Sequence, residues 1–230
     1  MHNYSCVFFD LFNTLIHDNS TAERDKFRLD NIYTILEKSL YPVKFGVLQE
    51  KYGEMMVFTA EQESAANRSF TPFQQVEYLL KLLKINNIIV FKKVYDTYID
   101  AVLQLSPKMV HNADKALEHL KEKNVKIGLI SNTIKSSGFV LRILLKQLNL
   151  YDYFDDMVFS DEIGFIKPSQ FIFDMAVWRL GVDRKNSIFI GDLKSIDQDG
   201  AVKAGLGAHL FKKNEDDLYQ LAVSYSGGFQ

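Results

Sequence analysis

The sequence lacks the cysteines that stabilise many small secreted proteins. Its 230 residues include a single cysteine, Cys6, so no disulfide can form within the chain. Cys6 lies in the apolar run Cys6-Val7-Phe8-Phe9, which is typical of a buried strand. We interpret it as a structural thiol of a protein from a reducing compartment.

The sequence also lacks the charge and the hydrophobic runs that would indicate a nucleic acid or a membrane as partner. Its 27 basic and 29 acidic residues leave a formal net charge of -2, which favours neither nucleic-acid binding nor disorder. No apolar run approaches the roughly 20 residues of a membrane-spanning helix. The apolar N-terminus has no basic start and is interrupted by Asp10, so we expect no secretory signal and a cytoplasmic location.

What is present is a large apolar fraction, 47% of the residues, which is enough for a substantial core. Between about Ser20 and Leu105 the apolar residues recur at helical spacing, and strand patterns are scarce. Thr71-Pro72 has the composition of a helix start. Four helices are predicted here, around Phe27–Leu40, Lys44–Asn67, Phe73–Ile85 and Ile88–Leu105.

From Asn112 onward, and at the N-terminus, short apolar runs alternate with amphipathic helices. The predicted strands are Ser5–Phe9, Val125–Ile130, Met157–Phe159, Ser187–Ile190 and Ala208–Phe211, and the helices between them are Ser136–Leu148, Pro168–Leu180 and Ile196–Ala204. This alternation predicts an α/β fold with a doubly wound, Rossmann-like parallel sheet. We expect residues 1–18 and 107–230 to form this core and residues 19–106 to form an inserted, all-helical cap.

Polar residues follow three of the predicted strands at the point where each strand ends. Asp10 follows the first strand, Ser131-Asn132 the second and Gly191-Asp192 a later one. Ligands of open α/β sheets bind at the carboxyl ends of the strands, so we expect these groups to meet at one edge. Asp197 could return to that edge from the next turn, and Lys167 could add an ammonium group.

The chemistry of this edge favours a hard metal ion. Asp10, Asp192 and Asp197 would repel one another unless a cation neutralised them, and carboxylate oxygens suit Mg²⁺. Mg²⁺ together with Lys167 would attract an anionic substrate and stabilise charge developing on it. Two hydroxyl groups could donate hydrogen bonds to the oxygens of such a substrate, those of Thr14 and Ser131.

Four motifs, in order along the chain, resemble those of the haloacid dehalogenase-like hydrolases. The stretch Asp10-Leu11-Phe12-Asn13-Thr14-Leu15 resembles motif one, Ser131-Asn132 motif two, Lys167-Pro168 motif three, and Gly191-Asp192 with Asp197 motif four. The resemblance covers nearly the whole predicted core. The helical insertion follows motif one, where this family places its C1 cap.

The resemblance implies a covalent mechanism with Mg²⁺ as cofactor. Asp10 would be the nucleophile, and Mg²⁺ would be held by Asp10, Asp192 and the backbone carbonyl of Phe12. Lys167 would pair with Asp10 or Asp197, and Asp197 would orient Lys167 or metal-bound water. The phosphoryl group of a small-molecule substrate would be bound by Thr14, Ser131, Asn132 and Lys167. The cap would close over the leaving group.

Phe12 is the one departure from the phosphatase pattern. Family phosphatases usually carry a second aspartate here, which protonates the leaving oxygen and then activates water. Three alternatives follow. The first is a phosphatase with impaired acid–base catalysis that recruits His17, a cap residue or water. The second is a dehalogenase, because family dehalogenases carry an aromatic residue here. The third is a non-catalytic phosphate-binding or scaffold protein. We favour the first, since Gly191-Asp192 is phosphatase-like.

Two further interpretations concern residues outside the motifs. Arg24 and Arg28 share one face of a predicted cap helix, and we interpret that face as solvated. Trp178 stands at helical spacing from Phe171 and Met175, so we expect it to pack in the core. The sequence does not predict the oligomeric state.

Overall fold

A five-stranded parallel sheet forms the centre of the computed structural model, which describes residues 3–227. Its strands are Cys6–Phe9 (β1), Lys126–Ser131 (β2), Asp156–Phe159 (β3), Ser187–Gly191 (β4) and Gly207–Leu210 (β5), in the order β3-β2-β1-β4-β5. All four neighbouring pairs are parallel, which confirms the predicted fold class. Residues 1–2 and 228–230 of the predicted core lie outside the described residues.

The position of β1 in this order decides where a ligand can bind. The chain leaves β1 for β2 and β3 on one side and later returns to β4 and β5 on the other. The crossovers therefore diverge between β1 and β4, and such a switch point opens a crevice at the carboxyl ends of the strands. Asp10 follows β1, and its backbone N–H donates to the carbonyl of Ile190 on β4 at 2.9 Å.

Helices cover both faces of the sheet. They are Ala113–Glu122 (α5), Gly138–Gln147 (α6), Ser160–Ile163 (α7), Gln170–Leu180 (α8), Asp199–Lys203 (α9) and Leu218–Tyr225 (α10). Alternate residues of a strand point to opposite faces, so Val7 and Phe9 pack in the larger cluster with α5 and α6. Cys6 and Phe8 pack in a second cluster with α8 and α9.

The predicted insertion contains four helices, Thr21–Lys38 (α1), Phe45–Ala66 (α2), Pro72–Leu82 (α3) and Ile88–Gln104 (α4). They pack on one another, and α4 also contacts α6 of the sheet layer. Thr71 caps α3: its hydroxyl oxygen accepts the backbone N–H of Gln74, whose side-chain oxygen accepts the backbone N–H of Thr71. The division into core and cap stays a prediction. None of the helices within residues 3–227 has the length and apolarity to cross a membrane.

The structure differs from the sequence-based expectations in several elements. Helices α5 and α10 were not predicted, and the expected helix Ile196–Ala204 is a π-helical turn, Lys194–Gln198, followed by α9. The expectation for Trp178 was wrong, because 74% of its surface is exposed. The reason is that α8 is apolar on more than one side and buries Ile172, Phe173, Ala176 and Val177 instead.

We predict that Gly128→Ala destabilises the sheet. Gly128 lies opposite Phe8 in the β1–β2 register, and a Cβ there would stand 2.3 Å from an atom of the Phe8 ring. Overpacking of this kind costs about 1–3 kcal/mol in the free energy of unfolding, which urea denaturation would measure. As a control, Gly53→Ala in α2 meets nothing within 4 Å and should stabilise the chain, by about 0.5–1 kcal/mol. Equal effects of the two variants would contradict this account of the β1–β2 packing.

Candidate active site

A buried lysine connects two carboxylates at the carboxyl end of β1. The Nζ atom of Lys167 lies 2.5 Å from Asp10 Oδ1 and 2.7 Å from Asp197 Oδ1, and only 2% of the lysine side chain is exposed. The same ammonium lies 5.0 Å from the centroid of the Phe189 ring on β4. Three separate segments of the chain therefore meet through one charged side chain.

Asn132, which follows β2, holds the backbone of this lysine. Its Nδ2 donates to the carbonyl of Lys167 at 3.1 Å, and its Oδ1 accepts the Lys167 backbone N–H at 2.7 Å. Both polar atoms of the amide are thus engaged with Lys167, whose bond to Pro168 is cis. In this structure Asn132 contacts the loop that carries Lys167, whereas the sequence predicted contact with a phosphoryl group.

Asp197 reaches the site because the chain turns back directly after β4. Its backbone N–H donates to the carbonyl of Leu193 at 2.8 Å, and its Oδ2 accepts the Leu193 backbone N–H at 2.9 Å. A Cβ on Gly191 would lie 2.6 Å from Asp197 Cγ. Glycine at the end of β4 therefore leaves the space that the aspartate occupies.

Asp10, Asp192 and Asp197 form a group that could hold a metal ion, since each offers an oxygen within 4.8 Å of the others. The ammonium of Lys167 offsets only one of the three negative charges when all three are ionised. Burial raises the pKa of Asp10 to about 7, although Lys167 lowers it; Asp197 and Asp192 add to the rise. Burial also raises the pKa of Asp192, and Asp197 adds to it. Carboxylates in this state fit a divalent cation.

Burial and carboxylates act in opposite directions on Lys167 itself. Burial lowers its pKa, but the charges of Asp10 and Asp197 outweigh that effect and raise it. The lysine is therefore an ammonium group at neutral pH. Because it donates to Asp10, it holds that carboxylate in a defined orientation at the end of β1.

The remaining predicted residues differ in their access to the site. Ser131 and Phe12 line the cavity around Asp10, and the Ser131 hydroxyl donates to the carbonyl of Asn132 at 3.3 Å. Thr14 is fully buried, and its hydroxyl has no hydrogen-bond partner within residues 3–227. Thr14 is not among the residues that line the cavity, so its predicted contact with substrate stays a prediction.

The cavity has a volume of about 810 Å³ and lies between the strand ends and the inserted helices. Its wall on the core side includes Asp10, Lys167 and Asp192. The helical wall includes residues of α1 and α2 at helical spacing and the residue that follows α2, namely Thr21, Arg24, Arg28, Met56, Ala60, Glu63, Ser64 and Asn67. The same cavity therefore contains the carboxylate group and a separate set of charged side chains.

The interpretation of Arg24 and Arg28 as a solvated face was wrong. Both side chains are buried and line the cavity. Helical spacing shows that two residues share a face, but it does not show what covers that face. Here α4 covers part of it, because Arg28 donates to the carbonyl of Tyr98 at 2.8 Å. Lys135, which the sequence analysis missed, binds Asp25 from the loop after β2 at 2.5 Å. Its position just beyond a strand end was the signal for it.

Residues 28–210 match the family described as Haloacid dehalogenase-like hydrolase. The chain belongs to this family. The matched region includes motifs two to four and begins after Asp10, so the assignment of motif one depends on its own residues and on the geometry around Lys167.

Two proteins similar to this haloacid dehalogenase-like chain are named as phosphatases. A glyceraldehyde 3-phosphate phosphatase from Methanothermobacter thermautotrophicus is 38% identical over 101 residues, which cover 43% of this chain and 42% of that protein. A glyceraldehyde 3-phosphate phosphatase from Pyrococcus abyssi is 27% identical over 216 residues, which cover 90% of this chain and 80% of that protein. The first match thus spans less than half of the relative's length.

Among solved structures, a 2-haloacid dehalogenase from Pseudomonas syringae pv. Tomato DC3000 superimposes with a TM-score of 0.70. It is 21% identical in sequence, and the match covers 97% of this chain and 99% of that one. At such low identity the likeness shows the fold alone. Proteins named as phosphatases and as dehalogenases therefore both resemble this haloacid dehalogenase-like chain, and only the site can separate the two activities.

The raised pKa of Asp10 predicts how the stability of the metal-free protein depends on pH. Between about pH 4 and about pH 7 the folded chain holds a proton that the unfolded chain has lost, so this group makes stability fall as pH rises. We expect Mg²⁺ to raise the melting temperature clearly at about pH 7.5 and much less at about pH 5, where protons already neutralise the carboxylates.

Two aspartate variants test this expectation. Asp192→Asn should lose most of the Mg²⁺-dependent shift, because it replaces one of the three carboxylates with a neutral amide. Asp199→Asn should keep the shift, because that side chain is exposed on the same segment and is not one of the three. An equal Mg²⁺ shift in both variants would rule out the carboxylate group as the binding site.

Proposed function

We propose that this chain is a Mg²⁺-dependent phosphatase that transfers the phosphoryl group of a small phosphate ester to Asp10. The observation that carries the proposal is the contact of the buried Lys167 with Asp10, beside Asp192 and Asp197 at the switch point of the sheet. The names of the two relatives support a phosphate ester as substrate. We infer no nucleic-acid or membrane partner, and a cytoplasmic location stays a prediction.

The proposed reaction has two displacements at phosphorus. A carboxylate oxygen of Asp10 attacks phosphorus, and the bond from phosphorus to the ester oxygen breaks as that oxygen leaves and takes a proton from water to give the alcohol. Water then attacks the aspartyl-phosphate, so that phosphate departs and Asp10 is restored. Lys167 orients Asp10 and stabilises charge on the transferring group, and the Ser131 hydroxyl can donate to an oxygen of that group.

Mg²⁺, when held by Asp10, Asp192 and the Phe12 carbonyl, would neutralise charge on the transferring group. The three carboxylates fit this ion because their oxygens lie close together with one lysine to offset them. Asn132 acts in this proposal as a positioning residue, because both of its polar side-chain atoms contact the Lys167 backbone. Thr14 is retained as a phosphate-binding candidate on motif position alone.

Residues 19–106 are proposed as the cap over this site. Two observations support that division: α1 and α2 line the cavity that also contains Asp10, and the end of α2 is tied to the loop before Lys167. Ile166 donates its backbone N–H to the carbonyl of Asn67, and Ser69 donates to the carbonyl of Gly164, both at 3.2 Å. A cap connected to this loop could exclude water from the transferring group.

Phe12 leaves the proposed phosphatase without a carboxylate at the second position of motif one. Phe12 lines the cavity and packs against the larger apolar cluster. Asn13 lines the cavity, but its side-chain oxygen accepts the backbone N–H of Asp18 at 3.0 Å, and a neutral amide cannot act as a general acid. His17 does not line the cavity, and burial lowers its pKa, so its case as a substitute acid is weak. General acid–base catalysis contributes about 10²–10⁴ in rate, so the site should be slow with poor leaving groups.

The aromatic side chain of Phe12 favours dehalogenation as a second candidate, since a halide leaves without a proton. Asp192 and Asp197 weigh against it, because a metal-free dehalogenase has no need of three clustered carboxylates. A panel of phosphate esters assayed with and without Mg²⁺, beside a 2-haloacid, tests the alternatives. We expect phosphate release that requires Mg²⁺; halide release without Mg²⁺ would replace the proposal, and tight phosphate binding without turnover would indicate a non-catalytic protein.

Phe12→Asp is the sharpest test of the impaired acid–base step. The wild type should release nitrophenolate from nitrophenyl phosphate in a burst followed by a slow steady state, because nothing at position 12 activates water. Phe12→Asp should raise the steady-state rate by about ten- to a thousandfold and extend activity to alkyl phosphates. Rapid-mixing kinetics would measure both phases.

The matched control is Phe12→Asn, which has nearly the same shape as aspartate but no carboxyl group. It should leave the steady-state rate near that of the wild type, because an amide cannot exchange the proton. If the wild type already hydrolyses alkyl phosphates rapidly and Phe12→Asp slows it, another residue supplies the proton and the impaired-phosphatase proposal is wrong.

A further inference from the structure

The helical wall of the cavity carries a connected group of charges that the proposed reaction does not use. We name it the α1 cluster, and it consists of Asp18, Arg24, Asp25, Arg28 and Lys135. Arg24 binds the Asp18 carboxylate, Arg28 Nη1 lies 3.2 Å from Asp25 Oδ1, and Lys135 Nζ lies 2.5 Å from Asp25 Oδ2. Four of its members, all except Asp25, line the same cavity as Asp10.

Arg24 is the member of the α1 cluster that has a buried nitrogen without a partner in the described part of the chain. Only 4% of its surface is exposed, and its Nη2 donates to Asp18 and, at 3.3 Å, to the Thr21 hydroxyl. Its Nη1 is buried and has no hydrogen-bond partner within residues 3–227. An unpaired buried donor is destabilising, and more so when it is charged. An acceptor inside the cavity would remove that cost.

Arg28 and Lys135 bind other groups of the wall. The Nε of Arg28 donates to the backbone carbonyl of Tyr98 at 2.8 Å, and its Nη1 donates to Asp25, which also accepts two contacts from Lys135. Asp25 further accepts the hydroxyl of Tyr52 at 3.0 Å. These contacts hold the wall in place, and within residues 3–227 the Nη1 of Arg24 is the buried side-chain nitrogen of the α1 cluster that has no hydrogen-bond partner.

The charges of the α1 cluster indicate what kind of ligand it can take. Three cationic side chains and two carboxylates leave an excess of one positive charge. Glu63, on α2, lines another part of the wall and accepts the Phe70 backbone N–H at 3.1 Å. One excess charge and one unpaired donor nitrogen fit a single carboxylate better than a phosphate dianion, which would meet Asp18 without enough positive charge to balance it.

We propose that Arg24 Nη1 binds a carboxylate of the substrate, so that this chain selects phosphate esters whose carbon skeleton ends in a carboxylate. The phosphate would lie at Asp10 and the carboxylate at the α1 cluster, at two ends of one cavity. This assignment rests on the proposed function, since it places the phosphoryl end of the substrate at Asp10. It makes Arg24 a specificity residue that takes no part in bond breaking.

A binding experiment tests the assignment without requiring turnover. The probes are phosphate esters of ω-hydroxycarboxylic acids with between one and four methylene groups, each paired with the alkyl phosphate of equal length. Isothermal titration of the Asp10→Asn chain with Mg²⁺ present gives dissociation constants, because that variant lacks the nucleophile. We expect at least one carboxylated ester to bind about ten- to a hundredfold more tightly than its alkyl partner.

Three variants, each combined with Asp10→Asn, identify the group responsible. Arg24→Gln should abolish the preference for the carboxylated ester. Asp18→Asn should strengthen the preference, because it removes a negative charge beside Arg24, and a merely structural role for Arg24 does not predict that direction. Lys26→Gln is the matched control: it removes one positive charge from α1 at an exposed side chain paired with Asp30, and it should keep the preference.

The outcomes separate this assignment from the proposed function. If the wild type hydrolyses none of the esters but the preference exists and depends on Arg24, the phosphatase proposal fails and the carboxylate subsite stands. If the esters are hydrolysed but no length shows a preference, or the preference survives Arg24→Gln, the subsite is overturned while the phosphatase stands. Failure of every carboxylated ester to bind also overturns the subsite. Circular dichroism of Arg24→Gln, with Asp18→Asn as the second variant, guards against misfolding.

Discussion

The contact of the Lys167 ammonium with Asp10 and Asp197 is the interaction on which the rest of the site depends. A buried ammonium is costly unless carboxylates are held against it, and here two are, from the segments that follow β1 and β4. That requirement depends on the sheet, because β1 and β4 are neighbours and the carboxylates that follow them therefore lie close together. Asn132 holds the lysine backbone, and Gly191 leaves room for Asp197.

The same arrangement supports the proposal that the site positions a reaction better than it moves protons. Carboxylates outnumber the ammonium, so the centre favours a divalent cation and an anionic substrate. In the proposed mechanism, Phe12 stands where a proton-transferring carboxylate would complete the set, and its side chain packs against the larger apolar cluster. The proposed activity therefore uses electrostatic positioning more than acid–base catalysis.

In the proposed function, substrate recognition and bond breaking depend on different parts of the chain. The segments after the strands supply the carboxylates and the lysine, whereas α1 and α2 supply the wall on which the Nη1 of Arg24 has no hydrogen-bond partner within residues 3–227. The larger apolar cluster includes residues of both the sheet and the inserted helices, among them Phe9 and Leu36. Helices packed in this way can hold a charged wall at a defined place in the cavity, which a flexible insertion could not do.

The sequence by itself determined where the strands lie, that they are parallel and which residues follow them, because short apolar runs, the helices between them and the polar residues at their ends are local patterns. It therefore predicted the fold class and brought Asp10, Asp192, Asp197 and Lys167 to one edge. Only the tertiary structure decided that Arg24 is buried, that Trp178 is exposed and that Asn132 contacts Lys167. The physical reason is that periodicity shows which residues share a face, whereas burial and charge pairing depend on what packs against that face from distant parts of the chain.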